Sequence, residues 1–282
     1  MKIKDNIIEI KNISYVYSGD EEETVLNDFS FNVERGSFTV ILGHNGSGKS
    51  TLAKLMNGLF KPAAGKVTVD GMDTDDPNSE IEIKRRVGLV FQNPDNQIIS
   101  SVVEEDVAFG PENLGFSPEE IRDRVDSALK AVDMFEYRKS APHNLSGGQK
   151  HGVAIAGILS MTPECIILDE PTAMLDPQGR QEVMDALYQL TKNSSITIVL
   201  ITHFMEEAQY ADRVVVMNDG KITGDGSAEE IFSKVELLKE AGLNIPQTTE
   251  LLEILRRNGV NIKKGIISVD DCANELARIL SK

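Results

Sequence analysis

The chain has 282 residues and a formal net charge of −16. This length supplies enough apolar material for one large domain, or for a large and a small one. The excess of carboxylates excludes broad, non-specific attraction to nucleic-acid phosphates or to an anionic lipid surface, and it favours a basic protein partner.

The sequence carries no signal for secretion, membrane insertion or a cysteine-based site. No apolar leader follows Met1, and no apolar run approaches the ~18 residues that a membrane-spanning helix needs. Cys165 and Cys272 lie far apart and belong to no Cys-x-x-Cys or Cys/His cluster, which indicates neither a disulfide framework nor a zinc site. A reducing cytoplasm is therefore the predicted compartment, with neither a signal peptide nor a transmembrane segment.

The first third of the chain is predicted to be rich in strands. Leu52, Leu55 and Met56 keep helical spacing and predict a helix after the third strand, and residues 81–86 predict a shorter one. The predicted strands are rich in β-branched and aromatic residues and occupy residues 7–17, 29–33, 38–42, 66–71 and 87–91.

The pattern changes to helices between about residue 95 and residue 160. Pro118 opens one of them, in which Ile121, Val125 and Leu129 keep helical spacing. Strands are expected again at residues 165–169, 196–201 and 213–217, with helices at residues 178–191 and 205–211 between them. The sequence therefore predicts an α/β fold: a mixed sheet core, largely parallel with an antiparallel N-terminal portion, and an inserted helical subdomain at about 95–160.

The end of the chain forms a separate pattern. Asn244-Ile245-Pro246 break the chain, and an apolar stripe through Val269, Cys272, Leu276 and Ile279 predicts a final helix. The predicted organisation is a main domain over residues 1–240 and a C-terminal helical extension over residues 241–282. Two interpretations of the stripe remain open, because the helix can pack on its own domain or form a dimer contact.

The stretch Gly43-His44-Asn45-Gly46-Ser47-Gly48-Lys49-Ser50 has the phosphate-binding pattern Gly-x₄-Gly-Lys-Ser between a predicted strand and a predicted helix. Its glycines let consecutive backbone N–H groups point inward, and the helix N-terminus adds partial positive charge. Lys49 is expected to reach the β- and γ-phosphates, and the Ser50 hydroxyl to coordinate Mg²⁺. A nucleoside triphosphate is the predicted ligand, in preference to a glycine-rich turn without a ligand.

Four further stretches add specific chemistry. Asp169 and Glu170 end an apolar strand, which places one carboxylate to hold the metal and the next to activate water. Gln92 and His203 each follow a buried strand, where a sheet edge would present them to the phosphates. The fourth stretch, Leu145-Ser146-Gly147-Gly148-Gln149, is improbable by chance. The predicted catalytic residues are Glu170, His203, Gln92 and Lys49.

With these motifs in this order, the chain resembles the nucleotide-binding subunit of an ABC transporter over residues 1 to about 235. The resemblance implies a P-loop NTPase fold of ABC type, ATP and Mg²⁺ as cofactors, and a head-to-tail pair of ATPase domains with each ATP between them. It implies that Tyr17 stacks on adenine and that Asp176 lies in a loop that crosses the interface. The implied nucleotide contacts are Tyr17, Gly43, His44, Asn45, Gly46, Ser47, Gly48, Lys49, Ser50 and Thr51, with Ser146, Gly147, Gly148 and Gln149 serving the partner's nucleotide. The implied metal ligands are Ser50, Gln92 and Asp169.

Three longer stretches, at residues 91–97, 103–110 and 171–177, narrow the resemblance. They are similar to the energy-coupling factor (ECF) vitamin and metal-ion transporters, and specifically to the first of their two paralogous ATPase subunits, the cobalt-importer type. The similarity implies ATP hydrolysis that powers uptake, by a peripheral protein at the cytoplasmic face of the cell membrane. The implied partners are a second ABC ATPase subunit in a heterodimer, a transmembrane coupling protein and a small substrate-capture membrane protein, with no nucleic acid.

Two alternatives remain open at this point. A conventional ABC importer would carry the same general motifs, and only the three longer stretches favour the ECF type over it. A soluble ABC ATPase without a transporter would also carry them, although the acidic charge and the lack of a basic stripe are against a DNA-binding version.

One stretch departs from the family pattern. After Gln149 the family usually carries a basic residue and then Gln-Arg, whereas this chain has Lys150-His151-Gly152. Gly152 inside a helix is expected to cost about 0.5–1 kcal/mol relative to Ala. A guanidinium that could bind a neighbouring loop or the partner is missing, and the effect of this stretch on the efficiency of the partner's site stays open.

The acidic run Glu104-Glu105-Asp106 is expected near the surface that a membrane partner contacts. Two interpretations remain open: these carboxylates receive basic residues of the coupling protein, or they are solvated charges on a helix.

Overall fold

The computed structural model describes residues 5–17, 23–194 and 196–281. In this part of the chain the strands form one sheet of four strands and one of six, and no helix is both long and apolar enough to cross a bilayer. The strands are β1 (Asn6–Tyr17), β2 (Glu23–Glu34), β3 (Phe38–Leu42), β4 (Ala64–Val69), β5 (Met72–Asp73), β6 (Val87–Val90), β7 (Cys165–Asp169), β8 (Thr197–Thr202), β9 (Arg213–Asn218) and β10 (Lys221–Gly226). The α-helices are α1 (Lys49–Met56), α2 (Glu80–Arg86), α3 (Val103–Asn113), α4 (Pro118–Ala131), α5 (Gly147–Leu159), α6 (Pro177–Ser194), α7 (Ala228–Phe232), α8 (Val235–Glu240), α9 (Gln247–Arg257) and α10 (Val269–Leu280).

The six-stranded sheet has the order β10-β9-β3-β8-β7-β6 and is parallel apart from its β10–β9 edge pair. Successive side chains of a strand point to opposite faces, so that Val40 and Leu42 lie in one apolar core and Ile41 in another. Because both faces are covered, the central strands are continuous apolar runs. This sheet is the predicted parallel core.

The four-stranded sheet is antiparallel throughout, with the order β2-β1-β4-β5. In β1, Ile10 lies opposite Phe31 on one side and Val67 on the other. The apolar face of this sheet shares a core with α1, through Leu52 and Leu55 of that helix, and with the inner face of the parallel sheet. The predicted antiparallel N-terminal portion is thereby confirmed, and α1 is held at the junction of the two sheets.

The helical part comprises α3, α4 and α5, which pack on one another. Their apolar side chains share the core that contains Val40 and Leu42, on the face of the parallel sheet opposite the antiparallel sheet. Two of these helices begin at capping boxes, formed by Ser117 with Glu120 and by Ser146 with Gln149. The inserted helical portion is as predicted, and its bounds of about 95–160 stay a prediction.

Two elements differ from the prediction. The segment expected as a helix at residues 205–211 is a 3₁₀ helix, Met205–Tyr210, because the short connection from β8 to β9 must pass β3, which lies between these two strands. Strand β10 was not predicted, since its two glycines weaken a strand pattern. It forms because Asp219 and Gly220, both with positive φ, make a tight hairpin that offers β9 an antiparallel partner.

The C-terminal extension has a small apolar core of its own. Helices α9 and α10 enclose a cluster of Leu252, Ile262, Ile266 and Cys272. The extension contacts the preceding helices through an ion pair of 3.0 Å between Arg257 and Glu236. Part of the apolar surface of the extension faces solvent at Leu251, Ile254, Val269 and Leu280. The stripe therefore packs partly within the extension and partly remains available for a dimer contact.

Gly220 supports a stability prediction. Its φ is 70°, and a Cβ at this position would lie 2.1 Å from the Val25 carbonyl oxygen of the antiparallel sheet. Gly71 has a similar φ of 78°, but a Cβ there would have no other atom within 4 Å. We expect Gly71→Ala to cost ~1–2 kcal/mol for the left-handed backbone, and Gly220→Ala to cost ~1–3 kcal/mol more for the forced contact.

Urea denaturation of both variants measures this difference as a shift in the midpoint. An equal loss of stability in the two variants would contradict the close packing of the β9–β10 turn against β2.

Candidate functional site

The phosphate-binding loop connects β3 to α1 and is held by close backbone packing. A Cβ on Gly43 would lie 2.6 Å from the Met217 carbonyl oxygen, so that only glycine fits there. Gly48 has a φ of 96°, which turns the chain into the first turn of α1. The loop is further tied to the β9–β10 turn, because the Gly220 N–H donates to the Ser47 carbonyl at 3.1 Å.

Lys49 extends back into this loop. Its Nζ donates to the carbonyl oxygens of Gly43 at 2.8 Å and His44 at 2.9 Å, and it lies 3.7 Å from Glu170 Oε1. Burial lowers the pKa of Lys49, and the carboxylates of Glu170 and Asp169 act in the opposite direction. The ammonium is thus placed between the loop and the carboxylates at the end of β7.

A cleft of about 380 Å³ opens over the loop. Beside it, the Tyr17 hydroxyl and Thr51 Oγ1 are 3.0 Å apart, and the Tyr17 ring packs edge-on against Tyr15 and Phe60 while staying partly exposed. An aromatic ring held in this way can stack on a flat ligand. The lining residues are Tyr17, Val25, Asn45, Gly46, Gly48, Lys49, Ser50, Thr51, Gln92 and Glu170.

A pair of oxygen ligands suited to Mg²⁺ lies at one end of this cleft. Ser50 Oγ donates to Asp169 Oδ1 at 2.9 Å, and Gln92 lines the same cleft. Burial raises the pKa of Asp169, and the hydrogen bond from Ser50 acts in the opposite direction. No group of three or more His, Cys, Asp or Glu in the described residues is arranged to hold a metal alone. The donor set fits Mg²⁺, which takes one or two protein oxygens together with phosphate and water.

Glu170 and His203 lie together where β7 and β8 end. His203 Nδ1 is 3.0 Å from Glu170 Oε2, and the Glu170 N–H donates to the Ile201 carbonyl at 2.9 Å. Glu170 has a φ of 50°, in the left-handed region that non-glycine residues avoid. Strained backbone of this kind clusters at catalytic residues, because the turn it makes fixes the direction of a side chain.

The stretch of residues 145–149, the signature stretch, lies apart from the cleft. Ser146 N–H donates to Gln149 Oε1 at 2.9 Å and Gln149 N–H donates to Ser146 Oγ at 3.3 Å, so that the two residues cap α5. None of residues 146–149 lines the cleft over the phosphate-binding loop. Leu175 lies against Gly147, and the neighbouring Met174 is exposed. The structure brings Lys49, Ser50 and Glu170 together at the cleft and leaves residues 146–149 on a separate surface.

His44 and the residues after the signature stretch have local roles. The His44 ring does not line the cleft, because its Nε2 lies 3.0 Å from Asn218 Oδ1.

Lys150 forms an ion pair of 2.7 Å with Asp95, close to Gln92. The buried His151 donates from Nδ1 to the Gly147 carbonyl at 3.1 Å. A Cβ on Gly152 would lie 3.0 Å from Met134 Cγ, so that a larger residue there would have to move this flexible side chain.

Sequence reasoning missed Val25 and Glu207. Val25 lines the cleft because β2 passes beside the phosphate-binding loop, and no local pattern identifies it. Glu207 is buried beside His203 and accepts a hydrogen bond from Thr172. No local signal identifies Glu207 either, because it stands directly after Glu206 and two residues before Gln209 in a segment of mixed polar and apolar character.

Comparisons with known proteins agree with this geometry. The ABC transporter family matches residues 26–173. The energy-coupling factor transporter ATP-binding protein EcfA1 of Clostridium novyi (strain NT) is 55% identical over 279 residues, covering 98% of this chain and 100% of the relative. The protein of the same name from Clostridioides difficile (strain 630) is 51% identical over 276 residues, covering 98% and 100%.

Two solved structures have the same fold. The cbiO1 protein from Clostridium perfringens, part of the ABC transporter complex cbiONQ, aligns with a TM-score of 0.76 and 38% identity over 89% of this chain and 100% of its own. The ATP-binding cassette MJ0796, in a dimeric post-hydrolysis state bound to ADP and Pi, aligns with a TM-score of 0.71 and 31% identity over 78% and 98%. The chain therefore belongs to the ABC transporter family and, within it, to the energy-coupling factor transporter ATP-binding proteins.

Proposed function

We propose that this ATPase powers the uptake of vitamins or transition-metal ions through an ECF-type transporter, as a peripheral protein at the cytoplasmic face of the cell membrane. The observation that carries the proposal is that Lys49, Ser50 and Glu170 line one cleft, with Asp169 bonded to Ser50 and His203 bonded to Glu170 behind them. The relatives named for energy-coupling factor transporters support the type of transporter.

The proposed mechanism follows from charge development in phosphoryl transfer. Backbone N–H groups of the phosphate-binding loop and the Lys49 ammonium offset negative charge on the β- and γ-oxygens. Ser50 and Asp169, with Gln92 nearby, would hold Mg²⁺, which would supply further positive charge beside the phosphates. Glu170 orients and deprotonates the attacking water, while His203 holds the Glu170 carboxylate and faces the γ-phosphate.

We propose that the chain works as a head-to-tail pair with a second ABC ATPase subunit. The separation of residues 146–149 from the chain's own cleft supports this arrangement, because these residues are then free to complete a partner's site. The exposed Met174 beside them offers apolar contact area. The dimeric state of the MJ0796 cassette is a further support. In this arrangement, the exposed stripe of the extension at residues 241–282 is a second contact with the partner ATPase.

An apolar groove of about 510 Å³ between α2 and the helical part is the proposed binding surface of the transmembrane coupling protein. Ile81, Ile99 and Phe109 line it with exposed fractions of 74%, 62% and 50%. Exposed apolar surface concentrated in this way marks a protein contact, because water solvates it poorly. The coupling protein would in turn bind the small substrate-capture protein, which this chain need not touch.

The acidic run beside this groove is already paired within the chain. Glu104 forms an ion pair with Lys139, Ser100 Oγ donates to Glu105 at 3.0 Å, and Asp106 accepts the Ile99 N–H at 2.7 Å. Attraction of basic residues of the coupling protein by residues 104–106 stays a prediction. We propose that the apolar side chains of the groove contribute most of the binding free energy for the coupling protein.

Lys49→Ala is expected to weaken ATP binding about 10- to 100-fold, since it removes hydrogen bonds from a charged group to the phosphates. Titration with a fluorescent ATP analogue measures the affinity. Lys61→Ala, at an exposed lysine outside the cleft, is the matched control and should bind ATP as the wild type does. Unchanged affinity in Lys49→Ala would mean that the phosphates bind elsewhere.

Glu170→Gln is expected to lower the ATP hydrolysis rate about 10²–10⁴-fold with ATP binding retained, because an amide cannot accept the proton from water. A phosphate-release assay measures the rate, and the same fluorescence titration measures binding. Full turnover by this variant would remove Glu170 from the role of general base.

Ile99→Asp is expected to abolish recovery of membrane partners, because a charge in the groove makes burial of its apolar surface costly. The tagged chain is expressed at native level in its own cells, membranes are solubilised gently, and co-purifying proteins are identified. The wild type should recover a second ATPase, a polytopic coupling protein and small varied membrane proteins.

Leu59→Asp, at an exposed leucine outside the groove, is the control and should recover the same partners. Recovery of the wild type from the soluble fraction alone would refute the transporter function while leaving the ATPase activity intact. Recovery with a membrane permease and a periplasmic binding protein would instead identify a conventional importer.

A further inference from the structure

Glu207 is a buried carboxylate beside the site that the mechanism above does not use. It lies in the 3₁₀ helix Met205–Tyr210, four residues after His203, and only 2% of its surface is exposed. Burial raises the pKa of Glu207, and the hydroxyls of Thr172 and Thr202 act in the opposite direction. A buried carboxyl group costs stability unless it is well paired, so its presence here requires a reason.

The contacts of Glu207 join the ends of two neighbouring strands. Thr172 Oγ1 donates to Glu207 Oε1 at 2.5 Å, and Thr172 follows Glu170 by two residues. Thr202, on the other side, directly precedes His203 and ends β8. One carboxylate therefore lies between the segment that carries Glu170 and the segment that carries His203.

The backbone of Glu170 needs such support. Its φ of 50° is unfavourable for a residue with a side chain, and this conformation persists only where surrounding contacts fix it. Two backbone hydrogen bonds contribute, from Glu170 N–H to Ile201 and from Ala173 N–H to the Glu170 carbonyl, at 2.9 Å and 3.2 Å. The Thr172–Glu207 bond adds a third restraint, which comes from a different element of the fold.

The pairing of Glu207 is incomplete. Glu207 Oε2 has no hydrogen-bond partner among the described residues, and neither has Arg180 Nε. The Arg180 guanidinium instead stacks on the Phe204 ring at 3.4 Å, and its charge favours the ionised form of Glu207. An apolar residue could replace a buried carboxylate at little cost if that carboxylate contributed only to stability. The position of Glu207 between the segments that carry Glu170 and His203 gives a functional reason for a carboxylate here.

We propose that Glu207 is a positioning residue that holds Glu170 and His203 in register for attack by water. It acts through Thr172 and Thr202 and touches neither ATP nor the attacking water. The inference rests on the proposed roles of Glu170 and His203.

The main test compares Glu207→Gln with Glu206→Gln. The two glutamates are neighbours in the same 3₁₀ helix, but Glu206 is exposed and serves as the matched control. Both variants are measured as the full-length chain with the assembly that co-purifies with it. We expect Glu207→Gln to lower kcat about 10-fold or more with KM and ATP affinity unchanged, since a hydrogen bond to a charged group is weakened. Glu206→Gln should keep wild-type values.

A double-mutant cycle with Glu170→Gln separates positioning from a structural role. If Glu207 acts through Glu170, single-turnover hydrolysis in the double variant should equal that of Glu170→Gln alone. A further drop of the same size as in the wild-type background would overturn the inference. If Glu170→Gln itself hydrolyses ATP at the wild-type rate, Glu170 is not the general base and the proposed mechanism fails. A wild-type kcat in Glu207→Gln is a different outcome, because it overturns the role of Glu207 and leaves the role of Glu170 intact.

Substitutions at Thr172 test the same link without altering the buried charge. Thr172→Ser keeps the hydroxyl and should retain kcat, whereas Thr172→Val removes the donor at nearly equal volume and should lower kcat as Glu207→Gln does. If Glu207→Gln does not fold, the two Thr172 variants test whether the Thr172–Glu207 hydrogen bond positions Glu170. A wild-type kcat in Thr172→Val would overturn the inference.

Discussion

The parallel pairing of β3, β8 and β7 is the constraint on which the site depends. In this register Leu42 lies beside Thr202 and Asp169 lies beside Ile201, so that the three strands end at one level. The phosphate-binding loop, His203 and Glu170 begin where these strands end. Chemical groups that are more than a hundred residues apart in sequence therefore converge on one cleft. A shift of one residue in any of these strands would turn the terminal side chain to the opposite face.

The apolar burial that fixes this register also removes the charged groups of the site from water. Apolar cores cover both faces of the parallel sheet, and α1 is held between the two sheets. Lys49, Asp169, Glu170 and Glu207 are consequently all nearly buried. Burial of charge costs stability, and the chain offsets part of this cost by close pairs such as Ser50–Asp169 and Glu170–His203. The same pairs also fix the positions of these side chains beside the phosphate-binding loop.

Other surfaces of the chain have chemistry suited to partners. The signature stretch caps α5 away from the cleft, the groove of Ile81, Ile99 and Phe109 is apolar and open, and the extension exposes part of its apolar stripe. Each surface lies on a different part of the fold. The ion pair between Lys150 of α5 and Asp95 joins the helix that the signature stretch caps to the segment that follows Gln92.

The sequence by itself determined the fold class, the phosphate-binding loop and the position of two carboxylates at the end of a buried strand, because each depends on a contiguous pattern: alternation within a strand, glycines at fixed spacing, or an apolar run that ends in Asp169-Glu170. It also predicted residues 146–149, whose order is a local property. Only the tertiary structure decided that Val25 lines the cleft, that the His44 ring lies outside it, that β10 pairs with β9, and that Glu207 joins Thr172 across 35 residues. These contacts depend on strand register and helix packing, which bring together residues that share no local pattern.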